Sequence, residues 1–250
     1  MITDDALLEV LELGSLATPM SPGKTWRADL PNVFVRDSTI ASPRANQVAL
    51  ARLSEHDADA TIARVRAHYR GRPFGWNVGP RSTPLDLEGR LAAAGLTLMR
   101  ESAGLALRDL AQPIDAPHVE IRRATLDDAE LLAELGVSAF GQDPIEARWL
   151  QQLVLAEPRI AVWLALERGD LLGFGQSFVR DDGVLLLVGA ATLPHARRRG
   201  VYRALLRHRI ALARAEGASA AVIQANDETS APICKRCGFV ELCRLRYWVG

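Results

Sequence analysis

The pattern of apolar and polar positions is most regular after residue 115. Val119–Thr125 alternates as a half-buried strand does. Thr125 then reads as an N-cap, with Asp127 and Asp128 in the first turn of a helix reaching Ala139. Pro144 opens a second helix that runs to Glu157. Ile160–Leu166 and Leu171–Val179 are two strands, and Arg180-Asp-Asp-Gly183 is a hairpin turn. Val184–Thr192 is nearly unbroken apolar sequence, which predicts a central strand buried on both faces and ended by Pro194. Between Arg199 and Glu216, Tyr202, Leu206, Ile210 and Ala213 form one stripe, with Leu205 and Leu212 beside it and Gly217 as the C-cap. Ala220–Ala225 is a strand, Glu228–Arg236 a short helix, and Phe239–Val249 one or two final strands. The order β-α-α-β-β-β-α-β-α-β is that of an α/β domain with a mixed sheet.

The first half is less regular. Helices are expected at about 4–13 and 57–70, and strands near 33–37, 46–50 and 73–78. Leu98–Leu107 is a further strand, and Asp109-Leu-Ala-Gln-Pro-Ile-Asp-Ala-Pro117 is a linker. A weak repeat relates the halves. Asn77-Val-Gly-Pro-Arg-Ser-Thr-Pro84 precedes a helical run ending at Gly95-Leu96, as Asn226-Asp-Glu-Thr-Ser-Ala-Pro232 precedes one ending at Gly238-Phe239.

Composition narrows the function. With 250 residues and 48% hydrophobic content the chain forms one large or two small domains. Thirty basic residues balance thirty acidic ones, so a general polyanion binder is not expected, and neither is a nucleic-acid partner. There is no basic leader and no apolar run long enough for a bilayer, so a cytoplasmic protein without membrane contact is the expectation. Cys234, Cys237 and Cys243 are an odd, local cluster, which suits a reducing compartment better than a disulfide framework. Cys234-Lys-Arg-Cys237 has redox or half-zinc spacing, but it ends a helix and lacks a second ligand pair. Core packing is its reading, and no metal is expected.

One segment carries chemistry: Ala190-Ala-Thr-Leu-Pro-His-Ala-Arg-Arg-Arg-Gly-Val-Tyr-Arg203. A buried strand runs into an arginine-glycine turn that opens a long helix. Free amides and the helix dipole make such a turn a place for a diphosphate. A solvated, charged helix start is the plainer alternative.

At this point the second half, 119–250, resembles the GNAT superfamily of acyl-CoA-dependent N-acyltransferases. The family's phosphate motif, Arg/Gln-x-x-Gly-x-Gly/Ala after x-x-Pro, is matched by Arg197-Arg-Arg-Gly200-Val-Tyr202 after Thr192-Leu-Pro194. Its second motif is matched by Asn226, Ser230, Pro232 and Gly238-Phe239. The resemblance implies a mixed, mostly antiparallel sheet flanked by helices. The repeat implies two tandem units: 1–115 as a degenerate GNAT-like or accessory domain that does not bind acyl-CoA, and 116–250 as the acyl-CoA-binding N-acetyltransferase domain.

It further implies that acetyl-CoA is the co-substrate, with pantetheine along Ala190, Ala191 and Thr192. Arg197, Arg198, Arg199, Gly200, Val201, Tyr202 and Arg203 would surround the pyrophosphate, with Asn226 and Ser230 close by. An amine attacks the thioester directly in a ternary complex, and a backbone N–H near Ala191 stabilises the oxyanion. Tyr202 stands where the family has Gly or Ala. Cys234 stands where it usually has a tyrosine acid, which makes Cys234 the candidate general acid; the motifs name no base. The amine acceptor is open, and so is the choice between monomer and homodimer. A non-catalytic acyl-CoA sensor is the alternative function. His195, Asp143, Gln176, Asp181, Asp182, Trp149 and Trp163 have weaker claims, each with a turn, surface or core role as the plainer explanation.

Overall fold

The computed structural model describes residues 2–250. The first half contributes α1 (Asp4–Leu13), β1 (Thr25–Ala28), β2 (Phe34–Ser38), β3 (Gln47–Ala49), α2 (Ala58–Tyr69), β4 (Gly75–Val78), α3 (Leu87–Ala93) and β5 (Thr97–Leu107). The second half contributes β6 (Glu120–Arg123), α4 (Ala129–Phe140), α5 (Pro144–Ala156), β7 (Ile160–Glu167), β8 (Asp170–Val179), β9 (Val184–Thr192), α6 (Val201–Ala215), β10 (Ala220–Ala225), α7 (Ser230–Arg236) and β11 (Val240–Val249). Two of the caps foreseen in the sequence are in place, while the C-cap of α6 is Glu216 and not Gly217. Thr125 and Asp128 form a capping box before α4, and Pro144 follows Asp143 at the start of α5.

All eleven strands form one sheet, in the order β1-β2-β3-β4-β11-β5-β10-β9-β8-β7-β6. Only β3 with β4 and β9 with β10 pair in parallel. The centre interleaves the halves. β11, the end of the chain, lies between β4 and β5, and β5 lies between β11 and β10. Each half therefore lends its last strand to the other. β5 and β11 pair along most of their length, from Ala106 with Val240 to Thr97 with Val249.

Helices cover both faces. Leu7, Val10 and Leu11 of α1 pack on Leu186, Val222 and Ala106, and Leu132 and Leu135 of α4 pack on Val162, Leu164 and Phe174 of the same face. On the opposite face Leu206 and Ile210 of α6, with Ala231 and Cys234 of α7, meet Leu185, Leu187 and Ile223. A separate cluster joins α2 and α3 to Val35, Val48 and Trp76. No helix among the described residues is long and apolar enough to cross a membrane.

Two expectations change. β9 is buried only over Val184–Leu187; Val188–Thr192 are partly accessible. Their apolar character serves a cleft, not a second packed layer. The last short helix begins at Ser230 and not at Glu228, because Asn226 Oδ1 accepts from the amides of Glu228 and Thr229 and holds those residues in a turn. The short strand β1 has no counterpart in the sequence reading.

Candidate functional site

The site lies where the two parallel strands part. β9 and β10 pair from Val184 with Ala220 to Leu187 with Ile223, and no further. On the other side of β9 the ladder to β8 shifts register between Gly175/Ala190 and Gln176/Val188. Gly189 is the extra residue, at φ 43°, and a Cβ there would come within 2.7 Å of Gln176 Oε1. The bulge turns the end of β9 away from β10 and frees its edge. Leu193 N donates to Leu172 O at 2.9 Å, so by alternation the Ala191 amide also faces β8, its pairing partner there being Phe174. The backbone groups that face the gap are therefore those of Ala190 and Thr192, one residue either side of the expected position, with the Thr192 carbonyl met by Arg197 Nε. Thr192 Oγ1 is buried and without a partner. It borders a small cavity of about 40 Å³ shared with Ala191, Pro194, Arg197 and Ser138 of α4.

The turn after β9 leads into α6. Arg198 has φ 64° and Gly200 φ 80°, both in the left-handed region. The amides of residues 198–203 donate to no protein acceptor among the described residues, and Gly200 provides no side-chain cap. A run of unpaired donors at the positive end of a 15-residue helix is a strong anion cradle. The glycine requirement has a cause the sequence did not suggest. A Cβ on Gly200 would strike the ring of Pro117 at 2.7 Å, so this residue admits the linker as well as the turn.

The arginines divide. Arg203 Nη1 donates to the Asp115 carbonyl at 2.9 Å and Arg207 Nη1 to that of Ala116 at 2.8 Å, which clamps the linker across α6. Arg199 pairs with Glu167. Arg197 and Arg198 are exposed at the mouth of the cleft, where Arg197 Nε reaches only the Thr192 carbonyl, at 3.4 Å. Val201 is buried in the core. Across the gap, the Asn226 amide donates to Ser230 Oγ at 2.9 Å, which leaves the Asn226 side-chain NH₂ and the Ser230 proton for a ligand.

Cys234 and Tyr202 come together on the α6 face. Cys234 is fully buried, its Sγ lies 3.7 Å from Tyr202 Oη, and burial pushes its thiol up to about 11. The Tyr202 phenol is also driven well above its usual range by burial. Its ring packs into the core and does not narrow the phosphate turn. All three cysteines are free and buried.

Other singled-out residues have structural partners. Asp143 Oδ1 accepts from Ile145 N and Glu146 N and caps α5. Asp182 holds Arg180 and the Val184 amide in the hairpin. Gln176 Nε2 donates to Gln151 Oε1 at 3.1 Å. His195, Asp181 and Trp149 are not buried, and Trp163 stands edge-on to His208. No group of three or more metal-ligating side chains occurs among the described residues.

One wall of the gap was not visible in the sequence. Gln224 Nε2, at the end of β10, donates to the Leu11 carbonyl at 2.7 Å, and Gly14 lies against the same amide. The first half therefore closes the gap on the α1 face. The matching place in that first half is shut. Beyond β3 and β4, Arg52 bridges Thr83, Leu53 N and Thr83 N donate to the Thr83 and Ala51 carbonyls, and the strands do not splay.

Residues 128–239 match the family model described as acetyltransferase (GNAT) family. No curated protein matches the chain in sequence. Among solved structures, a GCN5-related N-acetyltransferase from Kribbella flavida is 16% identical, with a TM-score of 0.66 over 90% of this chain and 89% of that one. A tandem GNAT protein from the clavulanic acid biosynthesis pathway is 16% identical, with a TM-score of 0.59 over 99% and 94%. A protein described as a GNAT-family acetyltransferase from Novosphingobium aromaticivorans is 16% identical, with a TM-score of 0.60 over 99% and 98%. At these identities the likeness is one of fold, and it extends over both halves. Residues 128–239 are thus similar to the acetyltransferase (GNAT) family, and the fold over both halves is like that of two tandem GNAT-like units.

Proposed function

We propose that the chain transfers an acetyl group from acetyl-CoA to a primary amine by direct attack within a ternary complex. The observation that carries this is the meeting, at one splayed gap, of the free edge of Ala190–Thr192 and the unpaired amides of residues 198–203. The first suits pantetheine, which pairs as a strand neighbour would. The second suits the pyrophosphate, with Arg197 and Arg198 at the mouth and Asn226 and Ser230 opposite. The thioester carbonyl then lies by the Gly189 bulge, where the Ala190 amide stabilises the oxyanion. The amine lone pair forms the C–N bond, the C–S bond breaks, and the CoA thiolate takes up the proton that the amine loses. Cys234 is the acid candidate. The acceptor enters on the side walled by α1 and the segment after it.

The test is thiol release from acetyl-CoA with a panel of amines, small-molecule and peptide. Acetyl-dependent release with at least one amine supports transfer. Saturable CoA binding with no release across the panel would favour the sensor.

A further inference from the structure

A second cavity lies between the sheet and the C-terminal half of α6. It is lined by Arg209 and Leu212 of α6, Trp163 of β7, Ser177 and Val179 of β8, and Arg159, and it encloses about 310 Å³. Leu212 is eleven residues beyond the start of α6, roughly 16 Å along the axis at about 1.5 Å per residue. The cavity is thus separate from the phosphate turn and at the other end of the strands.

Arg209 is the unusual feature. It is 1% exposed. Its Nε donates to the Leu205 carbonyl at 3.1 Å and its Nη1 to the Gln176 carbonyl at 3.0 Å. Its Nη2 is buried and has no partner. The titratable groups that bear on it are Tyr202, Cys234 and His208; burial keeps the first two neutral and pushes the His208 imidazole down. Buried arginines are ordinarily paired with a carboxylate, because an uncompensated charge in the interior is costly. Holding the Gln176 carbonyl beside the bulge accounts for Nη1. It accounts for neither the idle Nη2 nor the missing counter-charge.

The rest of the lining defines what fits. Arg123 and Arg159 stand at the exposed rim and Glu216 is the only carboxylate in the wall, so the cavity carries net positive charge. Arg123 is held by the Pro158 carbonyl at 2.8 Å and Arg159 by Glu157 at 3.1 Å. The rest of the wall is mixed: Ser177 is polar, and Trp163, Val179, Leu185 and Leu212 supply apolar faces. The Trp163 ring is fixed edge-on against His208, with centroids 4.5 Å apart. An inner cation with a spare donor, beside the apolar faces of Trp163, Val179 and Leu212, matches an anionic head on an apolar body.

We propose that this cavity binds a small organic carboxylate, its head on Arg209 and its apolar body against Trp163, Val179 and Leu212. Hexanoate and phenylacetate are the probes, with hexanamide and phenylacetamide as neutral counterparts, followed by calorimetry and thermal shift on the full chain. Hydrogen bonds to a charged group make the carboxylates bind about ten- to a hundredfold more tightly than the amides. R209M replaces the unpaired charge by an apolar chain and is expected to fold and lose carboxylate binding at least tenfold. Ala161 of β7 also lines the cavity; A161W leaves Arg209 in place and fills that wall, and is expected to lose the same binding, so it decides the matter if R209M does not fold. Carboxylate binding unchanged in either folded variant would overturn the proposal, since the probe would then sit elsewhere, the α6 N-terminus included. Failure of both probes to bind the parent protein at roughly 10 mM, far above the affinity of a charge-assisted pocket, would overturn it as well.

Discussion

At the scale of single residues, Cys234 shows how burial sets a limit on chemistry. Its thiol is pushed up to about 11, whereas its ordinary value is 9.0. Handing its proton to a CoA thiolate is then uphill by about 3 kcal/mol, so it is a poor acid toward a fair leaving group. C234A is therefore expected to lower turnover per folded molecule by less than about tenfold, below the roughly 10²–10⁴ of effective acid catalysis. A loss of a thousandfold in steady-state rate would show an essential proton donor or an acyl-cysteine. The same burial governs a tyrosine at this site. Cys234 has no accessible surface, and C234Y alone overpacks the core at a cost of about 1–3 kcal/mol. Y202A/C234Y moves the phenol from α6 to α7 and makes room for it. The double variant is expected to melt nearer the parent than C234Y does, and to turn over at least as fast as C234A. Raised thiols also predict alkaline lability. Below the unfolded value of 9.0 Cys234 is protonated in both states and costs nothing. Between there and about 11 the unfolded thiol ionises first, so stability falls as pH rises through this window. C234A should show a shallower decline of melting temperature across it.

At the scale of elements, the turn before α6 couples binding to the linker. An alanine at Gly200 must adopt φ 80°, at about 1–2 kcal/mol, and must displace Pro117. G200A is expected to lower the melting temperature by roughly 5–10 °C, and P117A/G200A to recover part of that loss, because the clash is removed and the strain remains. Strictly additive melting shifts would mean that Pro117 and Gly200 do not communicate. The Cβ points at the linker and not at the free amides, so CoA affinity in the double variant should fall less than tenfold. The first half offers no equal of this turn, since Arg52 and Thr83 close the place where its parallel strands would part. Calorimetry should therefore give one CoA per chain, and two sites would contradict the account of that gap. The sequence announced the turn and most elements around it, because caps, prolines and periodicity are local signals. It did not announce where β9 stops being core, since Val188–Thr192 are apolar for a cleft as they would be for a layer. Arg209 did leave a trace: it stands within the apolar stripe that runs from Tyr202 through Leu205 to Ala213. A charge at that spacing is a signal for burial, but the missing counter-charge needs three dimensions.

At the scale of the whole molecule, the repeat in the sequence hinted at two units but not at the exchange of their last strands. That exchange has no local code. β5 and β11 read as ordinary terminal strands, and only the shared sheet decides which neighbours they take. It makes a definite prediction about cutting the chain. A fragment of 116–250 lacks β5 and β4, so β11 loses both neighbours and β10 loses one. It also exposes the surface that packs on Leu105, Leu107, Leu110 and Ile114 and on Leu7, Val10 and Leu11. Unpaired edges beside bare apolar faces favour aggregation. The fragment alone is expected to be insoluble. A fragment of 96–250 restores β5 between β10 and β11 and should be recovered in the soluble fraction at a clearly higher yield, although α1 is still missing. Co-expression of 1–115 with 116–250 severs only the loop between β5 and β6. The two pieces are expected to co-purify as a one-to-one complex that binds CoA, because the sheet can re-form across the cut. Soluble, monomeric 116–250 with the melting temperature of the full chain would show that its strands do not need their partners, and would reduce the interleaved centre to a contact between independent domains.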